Sequence, residues 1–238
     1  MKRVICWDIW GTIIETSYTG QTYVEYLSQW KDADVISATV RNVLMTHEAK
    51  RSQIAFDAMA DDRPLNYEET AKILCARLFD PVPLDLPPDI KLPSWKKVAE
   101  LWRMENEAVR WIPGAKEVIL WIKKHYPGDI QVLVSNTTEV GWWHVDEKLG
   151  ISDLFGWSKC FLSCKGPVAK PDPFLWQLVK KEYPEANRYW MIGNSYIFDD
   201  AIPHALSFST LVNEEPHPPE EILEFIYGGS SHDIPHCH

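Results

Sequence analysis

The sequence predicts an α/β fold, a Rossmann-like doubly wound parallel sheet with a helical domain inserted after its first strand. Three observations carry that prediction. Short apolar runs alternate with amphipathic helical stretches from residue 110 to residue 212, the order that builds a parallel sheet covered on both faces. One further apolar run, at residues 3–8, is separated from the others by a long stretch of helical periodicity. Four of the runs end in polar clusters, and open α/β sheets collect their chemistry at the carboxyl ends of the strands.

Residues 3–8 read as a short buried strand that ends on a carboxylate and stops at the Gly11-Thr12 turn signal. From Tyr18 to Arg110 the periodicity is helical: Tyr23, Tyr26, Leu27 and Trp30 recur at helical spacing, followed by Val40 and Leu44 and then by Ile73, Leu74 and Leu78. Pro81, Pro83, Pro87, Pro88 and Pro93 interrupt this pattern at a density that excludes helix and central strand and implies an extended loop. Pro113-Gly114 suits a helix start, and Val118, Ile119 and Ile122 give that helix an apolar stripe before Pro127-Gly128 ends it. A strand at residues 130–134 stops at Ser135-Asn136. A helix with Trp142, Val145 and Leu149 follows, then a strand at 160–162, a helix at 173–182, and strands at 189–192 and 208–212. The core is expected over residues 1–16 and 110–218, and the helical domain over 17–109 with a Pro-rich loop at 81–93. A C-terminal helix and a disordered tail are expected over 219–238.

Composition narrows the function classes. The 24 Lys and Arg stand against 34 Asp and Glu, and a net charge of -10 argues against a general nucleic-acid binder, which needs basic side chains to neutralise phosphates. No apolar run approaches the roughly 20 residues of a spanning helix, and the basic start Met1-Lys2-Arg3 leads only to Val4-Ile5-Cys6-Trp7 before Asp8. A soluble cytoplasmic protein is expected. Cys6, Cys75, Cys160, Cys164 and Cys237 are odd in number in a chain long enough to need no staples, so reduced thiols are expected. The 12 Trp are assigned to packing.

The polar clusters are Asp8-Ile9-Trp10-Gly11-Thr12, Ser135-Asn136-Thr137, Lys170-Pro171-Asp172-Pro173, and Gly193-Asn194-Ser195 with Asp199-Asp200. Singly, each has a structural explanation, such as a turn cap at Asp8, a solvated Lys170 or a helix cap at Ser135-Asn136. Together and in this order they resemble the haloacid dehalogenase superfamily of hydrolases. That family's motifs run Asp-x-Asp-Gly-Thr, then Ser or Thr, then Lys, then Gly-Asp-x-x-x-x-Asp. Gly150-Ile151-Ser152-Asp153-Leu154-Phe155 and Trp190-Met191-Ile192-Gly193 also resemble its phrasing.

The resemblance implies a set of roles. Asp8 would be the nucleophile that forms a covalent intermediate. Ser135, the amide of Asn136, Lys170 and the Trp10-Gly11-Thr12 loop would bind a small anionic, phosphorylated substrate. Asp8, the Trp10 carbonyl, Asn194 and Asp199 would bind Mg, a hard cation suited to oxygen ligands. The insert would be the family's helical cap. An Mg-dependent phosphatase is the expected activity.

Two positions depart from the family's pattern. Trp10 stands where the phosphatases have the Asp that protonates the leaving group, and indole does no acid-base work near neutral pH. An aromatic there resembles the metal-independent 2-haloacid dehalogenases, which also carry an Asn where Tyr196 stands and a halide-binding arginine for which Arg41 is the available residue. Asn194 replaces an Asp and weakens rather than forbids a metal site. A dehalogenase, or an idle protein that binds a ligand or partner, therefore stays open beside the phosphatase. Asp199 fits the family spacing, with Asp200 adjacent. His204 is a conceivable replacement proton donor. Arg41, His47, Lys50, Arg51 and Arg63 are available to meet an anion. His232, His236, Cys237 and His238 have a metal-like spacing in a terminus expected to be disordered.

Overall fold

The computed structural model describes residues 2–29, 66–79 and 93–228. Outside them lie Trp30, Val40, Arg41, Leu44, His47, Lys50, Arg51, Arg63, Pro81, Pro83, Pro87, Pro88, His232, His236, Cys237 and His238.

The predicted parallel sheet is present. Its strands are β1 (Arg3–Trp7), β4 (Ile130–Ser135), β5 (Cys160–Leu162), β6 (Arg188–Gly193) and β7 (Ser209–Val212), in the order β5-β4-β1-β6-β7. All neighbours are parallel, with Cys6 opposite Val132 on one side and Met191 on the other. The central β1 is apolar throughout because both of its faces are covered. Val4 and Cys6 join Val132, Val134 and Met191 under Leu175, Trp176 and Val179 of α7 (Phe174–Glu182). Ile5 and Trp7 join Leu133, Trp190 and Ile192 against α4 (Ala115–His125), α5 (Glu139–Leu149) and α9 (Pro219–Tyr227). The short helices α6 (Ile151–Phe155) and α8 (Ala201–Ala205) complete the layers.

β1 stops at Trp7, one residue before the expected end, although the Asp8 N–H still donates to the Ile192 carbonyl at 2.9 Å. A second difference lies at the insert. The stretch expected to be helical up to residue 109 closes on a strand, β3 (Val109–Trp111), antiparallel to β2 (Ile14–Thr16). The pairing continues past both strands, from Ser17 N–H to the Ala108 carbonyl and from Ile112 N–H to the Ile13 carbonyl, at 2.9 and 3.0 Å. The described helices between these strands are α1 (Tyr23–Ser28), α2 (Tyr67–Phe79) and α3 (Trp95–Glu107). They bury a cluster of their own: Leu27, Ala71, Leu74, Val98, Ala99 and Trp102. No described helix is long and apolar enough to cross a membrane, and Cys6, Cys75 and Cys160 are unbridged thiols.

Within that helical cluster Glu105 accepts the Tyr23 N–H at 2.6 Å, while Tyr23 stacks on Trp102 at 4.6 Å. Burial pushes the Glu105 carboxyl up to about 7, against the Tyr23 N–H and with Glu25 adding to the rise. The native state then holds this proton more tightly than the unfolded chain does. Its stabilising contribution is full below the ordinary value of 4.5 and is lost as pH rises towards about 7. Urea midpoints compared at about pH 5 and about pH 7.5 should therefore fall more in the wild type than in Glu105→Gln, which keeps an acceptor without the proton. Equal falls in the two proteins would refute the assignment.

Candidate active site

The site is built at the carboxyl ends of β1, β4 and β6. Asp8 follows β1 directly, Ser135 closes β4, Lys170 precedes α7, and Asp199 lies in a π-helical turn, Tyr196–Asp200, after β6. Lys170 and Asp199 are each 1% exposed and Asp8 7%. The Lys170 Nζ donates to Asp8 Oδ1 at 2.8 Å and to Asp199 Oδ1 at 2.5 Å, and the Trp176 ring centre lies 5.9 Å from it. A buried ammonium resists charging, but Asp199 and Asp8 outweigh that and hold Lys170 above its usual value. Burial raises the Asp199 carboxyl to about 7; Lys170 opposes the rise and Asp8 adds to it. Two carboxylates thus share one cation, so one negative charge is left without a partner when both are ionised.

Backbone contacts fix this trio. Asn136 clamps the main chain of Lys170, accepting its N–H at 2.7 Å through Oδ1 and donating to its carbonyl at 3.1 Å through Nδ2. Ser163, just after β5, does the same for Thr137: its Oγ accepts the Thr137 N–H at 2.9 Å and donates to the Thr137 carbonyl at 3.0 Å. The Ser195 N–H donates to Asp199 Oδ2 at 3.2 Å. Gly193 makes room for this arrangement, since a Cβ there would sit 2.4 Å from the Asp199 side chain. Gly11 has φ +72, and a Cβ on it would meet Asn194 Nδ2 at 2.1 Å, so the loops after β1 and β6 lie against each other. In Asn136→Ala both bonds to Lys170 disappear, and urea unfolding should show a loss of about 1–3 kcal/mol, because the freed backbone groups are partly buried. A change below about 0.5 kcal/mol would mean that Asn136 does not hold the loop.

The other residues singled out in the sequence divide clearly. Asp200 accepts from the Thr210 hydroxyl on β7 and so points away from Lys170, whereas Asp199 contacts it. Trp10 is half-buried against the core, bridged to Ile14. Thr12 is buried, and its hydroxyl has no partner among the described residues. Ser135 is buried at the sheet edge of the site. His204 is exposed on the last turn of α8.

Over residues 2–200 the chain matches the family model of the haloacid dehalogenase-like hydrolases. It belongs to that family. Solved structures agree at the level of the fold. A dehalogenase shares 13% identity at a TM-score of 0.55, covering 93% of this chain and 95% of its own. A HAD family enzyme from Bacteroides thetaiotaomicron, in its magnesium complex, shares 15% at 0.53 and covers 88% and 92%. A haloacid dehalogenase-like hydrolase from Xanthomonas campestris shares 16% at 0.50 and covers 98% and 87%. No curated protein sequence matches the chain.

In this haloacid dehalogenase-like hydrolase two positioning contacts escaped the sequence analysis. Asn136 was named for its main-chain amide and as part of a helix cap, not for the side-chain clamp on Lys170, which spans 34 residues of chain. Ser163 was not considered, although its place at the end of an apolar run was a usable signal.

Proposed function

We propose that this hydrolase is an Mg-assisted phosphatase of small phosphorylated metabolites, with Asp8 as nucleophile and an unusual route for the leaving-group proton. The observation that carries the reading is the buried Lys170 held between Asp8 and Asp199. It sets a buried cation directly beside the Asp8 carboxylate, where that cation also attracts an anion. The Asp8 carboxylate attacks phosphorus in line, and the Ser135 hydroxyl, the Asn136 N–H and the Lys170 ammonium take up the phosphoryl oxygens. Helices α1, α2 and α3 act as a cap that meets the rest of the substrate.

The donor set fits a hard cation, being oxygen throughout: Asp8, the Trp10 carbonyl, Asn194 and Asp199 would hold it. The unmatched negative charge of the two carboxylates that share Lys170 supports that fit. A bound Mg ion would supply charge neutralisation for the phosphoryl group. A relative of the same fold in complex with magnesium supports the same assignment.

The test is release of inorganic phosphate from a panel of phosphorylated metabolites and aryl phosphates, with Mg and with a chelator. Mg-dependent release is expected. Absence of release from every phosphate would end this reading. Trp10 favours one alternative, a metal-independent 2-haloacid dehalogenase, and halide release indifferent to chelator would establish it instead.

A further inference from the structure

The end of the sheet remote from Asp8 holds a cleft of about 440 Å³, where β1, β6 and β7 begin and α9 ends. Its wall includes Arg3, Arg188 and Ser209 together with Trp190, Phe225 and Tyr227, and it contains no Asp or Glu, although the chain carries a net charge of -10. Strand register brings the two arginines together. Arg3 opens β1 and Arg188 opens β6, and they stand opposite each other in the parallel ladder, on strands about 4.8 Å apart. Side chains alternate between the faces of a sheet, so Arg3 shares a face with Ile5 and Arg188 with Trp190. Ser209 is the partner of Trp190 on β7 and shares that face too. Ile5 and Trp190 pack with Ile222, Leu223 and Ile226, so this is the face that α9 covers.

Two like charges at adjoining positions repel, and only one of this pair is neutralised among the described residues. Arg3 donates to Asp129 at 3.2 Å, and Asp129 also accepts the Tyr227 hydroxyl at 2.8 Å. Arg188 is exposed and makes no ion pair with a described residue. Two cations and one carboxylate leave a single positive charge. A guanidinium matches a carboxylate through two parallel hydrogen bonds, and one carboxylate matches that charge. Phe225 and Tyr227 are half-buried beside the buried Trp190, a wall that suits an apolar body, and the volume is that of a small-molecule site. We infer that this cleft binds a small organic carboxylate with an aromatic or apolar body, its head on Arg188 beside Ser209 and its body against Phe225 and Tyr227. Such a ligand does not compete for Lys170. Arg3 and Asp8 are five positions apart on extended chain, roughly 16 Å.

The experiment is equilibrium dialysis of the full chain against naphthalene-2-carboxylate, its neutral carboxamide, acetate and naphthalene-2-phosphonate. Wild type is compared with Arg188→Ala and Arg188→Glu, each checked for folding by thermal unfolding. In the wild type naphthalene-2-carboxylate should bind at least about tenfold tighter than the carboxamide or acetate, and no more weakly than the phosphonate. Arg188→Ala should weaken its binding by about tenfold, and Arg188→Glu should abolish saturable binding. Affinity unchanged in Arg188→Ala would put the probe at another place and overturn the inference. Equal affinity for the carboxamide or for acetate, a phosphonate bound about tenfold tighter than the carboxylate, or no saturable binding of the carboxylate at millimolar concentration would each overturn it as well. None of these outcomes bears on the phosphatase reading, which is tested by phosphate release.

Discussion

Asp8→Asn is expected to lower phosphate release by a factor of roughly 10³ or more, since a neutral amide is a poor nucleophile and no other group stands in its place. The loss should appear in kcat, with the folded state intact. The substitution changes the buried trio from two carboxylates and one ammonium to one of each. Asp8 is one of the causes that raise Asp199, so the remaining carboxyl should titrate lower in the variant. The unfolding midpoint in urea should consequently equal or exceed that of the wild type at neutral pH. Turnover within tenfold of wild type would remove Asp8 as nucleophile. Lost activity accompanied by a collapsed midpoint would mean that the aspartate is there for the fold.

Lys170→Met should do the reverse to stability. Here both carboxylates lose their cation in a place that water barely reaches, and breaking a buried pair in this way costs about 3–5 kcal/mol. The sign with pH follows from Asp199. Its carboxyl already binds a proton more tightly in the native state than at its ordinary value of 3.8, reaching about 7 with Lys170 in place, and the lysine is what opposes the rise. Stability contributed by such a proton is complete below 3.8 and is lost as pH rises through the native value. The variant should therefore approach the wild type near pH 4 and fall furthest behind it above about pH 7. Denaturant titrations across that range measure the difference. A deficit that is constant with pH would show that the lysine contributes packing rather than charge. Phosphate release should be lost as well, for want of the ammonium.

Much of the fold was legible because the strands are covered on both faces. Runs such as Val4-Ile5-Cys6-Trp7 and Val132-Leu133-Val134 contain no polar residue, and their polar ends marked the site without any knowledge of which strand lies beside which. The β2 and β3 ribbon was invisible for the opposite reason. Each strand has only three residues, too few to establish a period of two, and their partners are some ninety-five positions apart. Asp199 and Asp200 were adjacent carboxylates until the π-helical turn separated them, one towards Lys170 and one towards Thr210. Lys170 itself reads as a surface residue in any window of sequence. Its burial depends on Asp8, Asp199 and the Asn136 clamp, all brought in from other strands.

The ribbon also determines how such a protein changes over generations. The chain leaves the sheet at Thr16 and returns at Val109, and those two crossing points are stitched to each other rather than to the strands that carry the chemistry. Whatever is spliced between them can lengthen, shrink or be exchanged by recombination, and the register of Asp8 against Ile192 does not move. On the proposed function, a changed insert alters what meets the substrate while Asp8, Lys170 and Asp199 keep their places.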